Sequence, residues 1–304
     1  SCLDQMTDPI IPIQNINANF IVNRIQPNEE IGKGLLRYEG SLFERLLKKI
    51  FFKWNKIIES NINLLGENNY YIKISTGCLS NCSYCAVRRS RGHLLSKSIE
   101  DIINEFNIGL GKNYHYFSLL GTDLGAYGKD LGYTLNDLLK KLIKIEGNYN
   151  IGLRNVNLGH LKNMLDEFLF ILKSKKIYYI EIPIESGSNR ILKLMNRNYT
   201  VEEFKKCIKE IRKAYPNIII RSQMMVGFPT ESEKDFVQTM NLLDDVTLDY
   251  VEVYQYSSRP GTYSAMMDFQ ISEKIKKQRF YKLFLKSQFN RLIKKIQIVL
   301  KNKK

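Results

Sequence analysis

The sequence predicts an α/β fold in which helices cover a parallel sheet. From Tyr70 onward, short apolar runs alternate with longer amphipathic ones, and about six such β/α repeats follow one another. The chain has 304 residues, of which 44% are hydrophobic and 25% charged, so it can bury a large core and has the composition of a globular protein. These repeats fit either a doubly wound sheet or a sheet curled into a partial barrel.

Each repeat is predicted from its own residue pattern. Ser98 is a suitable N-cap for the first helix, because its hydroxyl can accept a hydrogen bond from a free amide of the first turn. Strands are predicted at 70–74, 115–120, 149–153, 177–182, 218–226 and 250–256, and helices at 98–109, 135–145, 161–172, 201–215 and 233–244. Ligand chemistry is expected at the carboxyl ends of these strands, which meet at one edge of the sheet.

The net charge of +15 is concentrated in the C-terminal tail. From Glu273 to Lys304 there are twelve Lys/Arg and one acidic residue, a net +11, which leaves +4 for the rest. Ile275, Phe289 and Leu292, followed by Ile296 and Val299, recur at helical spacing, so 271–304 is predicted to be a basic amphipathic helix. Three interpretations stay open: a docked helix with a solvated Lys-rich face, an RNA contact, and a membrane-surface helix.

No apolar run is long enough for a membrane span, and no secretory signal precedes the repeats. Five cysteines, three of them within eight positions, do not form a disulfide framework in a chain of this size. We therefore expect a soluble protein in the cytoplasm or an organelle, without membrane contact. Because the chain starts at Ser1-Cys2 and not at Met, we also expect it to be cut from something longer or to carry a tag remnant.

Three cysteines lie directly after the first predicted strand. Cys78, Cys82 and Cys85 have the spacing C-x3-C-x2-C. Three thiolates so close can hold three corners of a [4Fe–4S] cluster and leave the fourth iron without a protein ligand. An open iron can chelate S-adenosylmethionine (SAM), whose reductive cleavage makes a 5′-deoxyadenosyl radical. The cysteine loop, residues 76–85, thus predicts both cofactors.

A structural zinc site is the alternative for this loop, with His93 as the fourth ligand. Zinc ligands usually come in pairs rather than three together, which favours the iron–sulfur cluster. Cys207 lies inside the helical pattern 201–215 and is predicted to be a buried structural thiol.

From Tyr70 to about Arg279 the chain resembles the radical domain of the radical SAM methylthiotransferases, the MiaB/RimO-like family. Ordered motifs carry this resemblance, at 77–85, 91–92, 120–123, 127–128, 183–188, 195–200, 226–229 with Glu231, and 258–262. The segments 76–79 and 123–132 are most similar to the archaeal/eukaryotic branch, which methylthiolates N6-threonylcarbamoyladenosine next to the tRNA anticodon. The resemblance implies a partial (β/α)6, TIM-like barrel of the radical SAM type, occupying residues 70–270.

Two strand-end motifs are candidates for cofactor binding. Thr122 and Asp123 follow an apolar strand, where Asp123 can meet the ammonium group of SAM or, alternatively, cap an ordinary turn. Glu185 and Ser186 end another strand and offer a carboxylate and a hydroxyl to ribose. The family usually has Gln where Glu185 stands, so this chain keeps the hydrogen bonding and adds a charge.

Further candidates come from the other motifs. Gly227 permits close approach of adenine or substrate; Arg197 is suited to a carboxylate, or is an ordinary surface residue; and Tyr84 immediately precedes the third cysteine. Arg259 and Tyr256 are expected to line the substrate mouth. No catalytic residue is predicted beyond the cluster ligands.

The chain departs from the family before Tyr70. Family members carry an N-terminal domain whose three cysteines hold a second [4Fe–4S] cluster, and generally a C-terminal RNA-binding TRAM domain; neither is recognisable here. Only Cys2 precedes Tyr70, so segment 1–69 is interpreted as a possible remnant of that domain. A second cluster is expected only if a missing N-terminal domain exists.

The resemblance implies an enzyme, a radical SAM transferase that methylthiolates a modified adenosine in tRNA. Its expected partners are tRNA and a flavodoxin- or ferredoxin-type electron donor, and we expect a monomer. Two alternatives remain: a single-cluster radical SAM enzyme acting on a peptide or small molecule, favoured by the missing cysteines, and a non-catalytic RNA-binding scaffold, favoured by the basic tail.

Overall fold

The computed structural model describes residues 69–301, all of which belong to one compact unit, Ile62–Lys304. The predictions for Cys2 and for the rest of segment 1–68 lie outside the described residues. Within the described part, the strands are β1 (Asn69–Lys73), β2 (Ser75–Thr76), β3 (Leu95–Ser96), β4 (Tyr116–Leu120), β5 (Asn150–Leu153), β6 (Ile177–Glu181), β7 (Ile219–Val226) and β8 (Tyr250–Gln255).

Helices occupy the connections between the strands. The α-helices are α1 (Val87–Arg91), α2 (Ile99–Gly111), α3 (Leu135–Leu142), α4 (Leu158–Leu161), α5 (Leu165–Leu172), α6 (Asn189–Leu194), α7 (Val201–Ala214), α8 (Glu233–Asp245) and α9 (Glu273–Lys301). Short 3₁₀ turns lie at Leu124–Ala126, Lys162–Met164 and Tyr263–Met266. No helix within 69–301 is long and apolar enough to cross a membrane.

The main sheet is a partial barrel, not a doubly wound sheet. Its six strands are all parallel and lie in the order β1-β4-β5-β6-β7-β8, while β2 and β3 form a small antiparallel ribbon. Successive strands are added in one direction only, whereas a doubly wound sheet reverses its order at a switch point. The strand order therefore decides between the two predicted architectures.

The two faces of the sheet differ in polarity. On β7, Ile220, Met224 and Val226 are fully buried, and they alternate with the partly buried Arg221 and Gln223 on the opposite face. That second face carries a polar network, in which Arg221 bonds Glu252 and Gln223 bonds Glu181. The hydrophobic core thus lies on one side of the sheet, and the other side is left polar.

The six predicted strands of the main sheet are confirmed, each to within one residue at either end. Ser98 caps α2 as predicted, accepting a hydrogen bond from the Asp101 amide at 3.1 Å. The helix predicted at 161–172 is wrong in its first part, because the chain forms α4, a 3₁₀ turn and then α5. Cys207 is buried, 1% exposed, as predicted.

Helix α9 docks on β8 and β7, but not through the predicted apolar stripe. Leu283 is fully buried and Arg279 is 7% exposed, whereas Phe289 and Leu292 are 61% and 38% exposed. The apolar spacing along this tail therefore predicted the helix correctly and its buried face wrongly, because charged and polar side chains with their own partners take part in the docking.

Candidate functional site

The cysteine loop follows β1 at the carboxyl edge of the sheet and is held at both ends. The Cys78 amide donates to the Gly92 carbonyl at 3.4 Å, and the Ser83 amide donates to the Met195 carbonyl at 3.0 Å. Gly77 has a φ of +69°, and a Cβ there would lie 1.8 Å from the His93 carbonyl oxygen, so only glycine fits. The β1 sequence thus leads the three cysteines into a fixed turn.

The three thiols are unpaired and electrostatically close to one another. Cys78, Cys82 and Cys85 form no disulfide and are partly exposed. Burial raises the pKa of Cys82 to about 11; among its neighbours Arg197 acts to lower it, whereas Glu185, Cys85 and Cys78 add to the rise. Two backbone amides donate to sulfur, from Ser80 to Cys78 at 3.3 Å and from Val87 to Cys85 at 3.5 Å. Three thiolates this close would repel one another, so they require a positively charged metal centre between them.

Arg197 joins Glu185 and Tyr84 beside Cys82. Its Nη2 donates to Glu185 Oε1 and to the Tyr84 hydroxyl, both at 2.6 Å, and the side chains of Arg197 and Glu185 are 9% and 8% exposed. Burial acts to lower the pKa of Arg197, but Tyr199, Tyr84 and Glu185 outweigh it and raise the pKa well above the ordinary value. Arg197 Nε is buried without a hydrogen-bond partner. The alternative interpretation of Arg197 as an ordinary surface residue is therefore wrong.

The backbone fixes Glu185 in this position. It has a φ of +71°, a left-handed conformation that is costly for a residue other than glycine. Its amide donates to the Gln223 carbonyl at 2.9 Å, and its carbonyl accepts from the Met225 amide at 2.7 Å, so β7 holds the strained residue on both sides.

Asp123 follows β4, and one of its two carboxylate oxygens makes no hydrogen bond. Its Oδ1 accepts from the Gly125 amide at 3.0 Å and from the Asn157 amide at 3.3 Å, while Oδ2 is buried without a hydrogen bond. The Thr122 hydroxyl is buried and unpartnered as well. Asp123 does cap a turn, as the alternative interpretation expected, and still offers an oxygen to a ligand.

His160 faces Asp123, although it belongs to none of the motifs in the sequence. Its Nε2 lies 3.5 Å from Asp123 Oδ2, and its Nδ1 is 2.8 Å from Lys129 Nζ, so the ammonium donates to Nδ1 and leaves the ring proton on Nε2. Burial lowers the pKa of His160, against the effect of Asp123. A single histidine in a helical segment carries no pattern that could have revealed this contact.

Gly227 ends β7, where a side chain of the terminal helix occupies the space above it. A Cβ on Gly227 would lie 2.3 Å from Lys276 Cγ, and Gly227 has a φ of +75°. Its amide donates to Glu231 Oε2 at 2.8 Å, and Arg279 Nη1 donates to the same oxygen at 2.7 Å. The close approach predicted for Gly227 is made by α9, and Glu231 ties this loop to that helix.

Two predicted residues point elsewhere. The Ser186 hydroxyl lies 3.3 Å from Thr239 Oγ1 and accepts from the Ser188 amide at 3.2 Å. It therefore contacts α8 and not the group formed by Arg197, Glu185 and Tyr84. Tyr256 is 2% exposed and donates to Ser264 Oγ at 2.9 Å, which corrects the expectation that it lines the mouth. Arg259 is exposed, as a mouth residue must be.

The residues at this edge fit a [4Fe–4S] cluster with SAM. The loop supplies three free thiols, and Arg197 Nε and Thr122 Oγ1 are buried polar atoms without a hydrogen-bond partner, as a ligand site would leave them. Asp123 Oδ2, which has only His160 Nε2 at 3.5 Å, can accept from a ligand as well. Among residues 69–294, no three His, Cys, Asp or Glu side chains are arranged around a single metal ion. A cubane instead spreads its thiolates over separate corners.

Comparison with protein families matches residues 72–243 to the radical SAM superfamily. A probable threonylcarbamoyladenosine tRNA methylthiotransferase of Archaeoglobus fulgidus is 38% identical over 214 residues, which are 70% of this chain and 50% of that protein. The ribosomal protein uS12 methylthiotransferase RimO of Thermodesulfovibrio yellowstonii is 36% identical over 235 residues, 76% of this chain and 55% of that one. The chain spans about half the length of the curated relatives it matches.

Solved structures share the fold. The radical S-adenosylmethionine methyltransferase TsrM of Kitasatospora setae superposes with a TM-score of 0.55 at 11% identity, covering 65% of this chain and 38% of that one. Methylornithine synthase (PylB) superposes with a TM-score of 0.50 at 15% identity, covering 88% and 76%. Both support the partial barrel, and because their sequence identity to this chain is so low, they are evidence for its fold alone.

Proposed function

The chain belongs to the radical SAM superfamily, and from that premise we propose that it is a methylthiotransferase acting on a modified adenosine in tRNA. The observation that carries the radical chemistry is the loop of three free thiols beside the buried Arg197–Glu185 pair. The substrate class is supported by the relatives that are named threonylcarbamoyladenosine tRNA methylthiotransferases. Substrate, sulfur transfer and partners are parts of the proposal.

Cys78, Cys82 and Cys85 hold the cluster in this proposal. When bound, the [4Fe–4S] cluster and SAM supply the reductive cleavage that yields the 5′-deoxyadenosyl radical for hydrogen abstraction. The amides of Ser80 and Val87 stabilise thiolate charge by donating to sulfur.

The remaining polar groups bind and orient SAM. Arg197 presents Nε to a carboxylate, while Glu185 and Tyr84 hold its guanidinium in place. Asp123 Oδ2 accepts from the ammonium group, with the Thr122 hydroxyl beside it in the sequence and also unpartnered. Phe228, which is fully buried and 6.5 Å from the Tyr84 ring centroid, helps to exclude water from this side.

Anaerobic reconstitution tests the cluster. We expect iron and sulfide in a cubane ratio, an electron paramagnetic resonance signal after reduction, and 5′-deoxyadenosine when SAM and reductant are added. Cys82→Ala should lose the full cluster, and Cys207→Ala, a buried thiol on α7, is the matched control that should keep it. A full cubane in Cys82→Ala would contradict the ligand assignment.

Nucleoside analysis tests the substrate. The protein is incubated with SAM, a sulfide source, a flavodoxin or ferredoxin reducing system, and tRNA that carries N6-threonylcarbamoyladenosine, and the digested tRNA is examined by mass spectrometry. A methylthio nucleoside is the expected product. Reductive cleavage of SAM without any change in tRNA would refute the proposed substrate and leave the radical chemistry standing.

A further inference from the structure

The rim beside the cysteine loop is basic and has no acidic counterpart in its own segment. Residues 73–99 include five basic side chains and no Asp or Glu: Lys73, Arg88, Arg89, Arg91 and Lys97. Arg88 and Arg91 lie on α1 and form no ion pair within residues 69–294, whereas Lys97 is bridged to Glu105 at 2.7 Å. Burial lowers the pKa of Lys73, and the charges of Arg91 and Lys97 lower it further.

Exposed apolar side chains lie next to this basic segment, on the loop that follows β8. Tyr263, Met266 and Phe269 are 66%, 72% and 80% exposed. The loop is joined to α1 by Arg89, whose guanidinium donates to the Gly261 carbonyl. Residues 256–270 contain one basic residue, Arg259, and one acidic residue, the exposed Asp268.

The loop is held firmly although its side chains are exposed. The Ser264 amide donates to the Ser83 carbonyl inside the cysteine loop at 2.9 Å, and the Thr230 amide donates to the Phe269 carbonyl at 3.0 Å. Gln270 Nε2 donates to the Ser264 and Met267 carbonyls at 2.9 and 2.8 Å. Two aromatic rings are therefore presented to solvent at the mouth of the site on a fixed backbone.

We propose that this rim, formed by α1 and residues 256–270, binds a single-stranded loop of an RNA. Unpaired guanidinium groups of Arg88, Arg91 and Arg259 would neutralise phosphates, and the rings of Tyr263 and Phe269 would stack on unpaired bases. Fixed exposed rings beside arginines that form no ion pair within residues 69–294 suit splayed bases better than an A-form duplex, whose bases are already stacked. The inference rests on the proposed function for its substrate class. It adds the surface of the protein that would bind the RNA loop and bring the target base to the cysteine loop.

Binding of a fluorescent hairpin RNA with an unpaired loop tests the rim in the complete chain. Arg91→Gln/Arg259→Gln should weaken binding about tenfold or more and reduce the slope of log Kd against log salt by about two, one for each lost phosphate contact. Tyr263→Ala/Phe269→Ala should weaken binding of the hairpin and leave its salt slope unchanged. Lys206→Ala/Lys209→Ala and Phe170→Ala, exposed residues on α7 and α5, are the matched controls that should bind as the wild type does.

Wild-type affinity for the hairpin in both rim variants would overturn the inference. Equal binding of a blunt duplex or of anionic vesicles to the wild type would overturn it too, since it would show a general polyanion surface. Iron content and the urea midpoint of the same samples distinguish a lost surface from a lost fold. Photo-crosslinking of wild-type protein to a hairpin with 4-thiouridine in its loop gives a test without substitutions: crosslinks within α1 or residues 256–270 support the rim, and crosslinks confined to other segments refute it.

The two proposals fail separately. If the hairpin binds through the rim and no methylthio nucleoside is formed, RNA binding by the rim is supported and the proposed reaction is refuted. If the rim variants form methylthio nucleoside as fast as the wild type at limiting tRNA, the proposed reaction is supported and RNA binding by the rim is refuted.

Discussion

Glu185 places a negative charge next to the cysteine loop, at a position where the resembling family usually has Gln. The carboxylate pairs with Arg197 at 2.6 Å, and it opposes the thiolate form of Cys82. A buried carboxylate so close to a cluster disfavours the addition of an electron, because added negative charge is repelled in a medium of low dielectric.

We therefore expect Glu185→Gln to raise the reduction potential of the cluster, by roughly tens of millivolts. The substitution removes the charge and keeps an oxygen that can accept from Arg197. The measurement is a redox titration followed by electron paramagnetic resonance. Glu210→Gln, on α7, is the control, and an unchanged potential in Glu185→Gln would contradict the prediction.

Sequence alone predicted the side chains of the site better than their directions. The structure brings the candidates Tyr84, Glu185 and Arg197 together beside Cys82. Tyr84 lies in the cysteine loop, Glu185 follows β6 and Arg197 follows α6. Ser186 was expected to face ribose, but its hydroxyl contacts Thr239. Side-chain direction at a strand end depends on local backbone angles, and no motif encodes the left-handed conformation of Glu185.

At the scale of the element, one carboxylate at the N-terminus of α8 both caps the helix and forms an ion pair. Ser232 and Asp235 form a capping box, and Asp235 also accepts from Ser188 Oγ at 2.6 Å and from Arg190 Nη2 at 2.5 Å. Burial acts to raise the pKa of Asp235, but these hydrogen bonds outweigh it and hold the pKa below its ordinary value. The carboxylate thus links α6 to α8.

This linkage has a defined pH dependence. A folded-state pKa below the unfolded value stabilises the fold above about pH 4, and the contribution is lost as the pH falls below that. Asp235→Asn should lower the free energy of unfolding at pH 7 by about 1 kcal/mol, a value reduced by solvent screening around the half-exposed Arg190, and should flatten the decline between pH 5 and 3.

Urea unfolding at pH 7, 5 and 3 measures both effects. The control is Asp166→Asn, an exposed carboxylate in the first turn of α5. An Asp235→Asn curve that runs parallel to the wild type over this pH range would rule out the linkage.

The short elements were the ones that sequence patterns missed. Helices α1 and α6 have five and six residues, too few for an amphipathic period to be recognised. Helix α9 was recognised, yet its buried face was wrong because Arg279 and Lys276 are buried there through specific partners, an arrangement that hydrophobic spacing does not describe.

At the scale of the whole molecule, α9 stabilises the carboxyl edge of the sheet through one buried ion pair. Arg279 bonds the carboxylate and carbonyl oxygens of Glu231, and Glu231 in turn accepts from the Gly227 amide. The Glu231 side chain is 0% exposed. Removing one partner leaves an uncompensated buried charge, which is far more destabilising than replacing both.

Arg279→Met should thus destabilise the protein by about 3–5 kcal/mol. The double variant Arg279→Met/Glu231→Gln should recover most of that loss, because Gln can still accept from Gly227 and Met fills the volume. Urea unfolding of Arg279→Met, of Glu231→Gln and of the double variant completes a double-mutant cycle. Additive losses in the double variant would show that the pair does not act as a unit.

The hydrogen bond between the Ser264 amide and the Ser83 carbonyl joins the loop after β8 to the cysteine loop after β1, two segments far apart in the chain. Arg89 and Gly261 make a second such contact, 172 residues apart. At a synthesis rate of about 5–20 residues per second, the cysteines leave the ribosome roughly ten to thirty-five seconds before the segment that makes these contacts. Until then the cysteine loop lacks both contacts, and its thiols are open to oxidation or to premature metal capture. We therefore expect stable cluster loading to follow synthesis of the loop after β8, and chains interrupted before residue 256 to retain less iron than the complete chain.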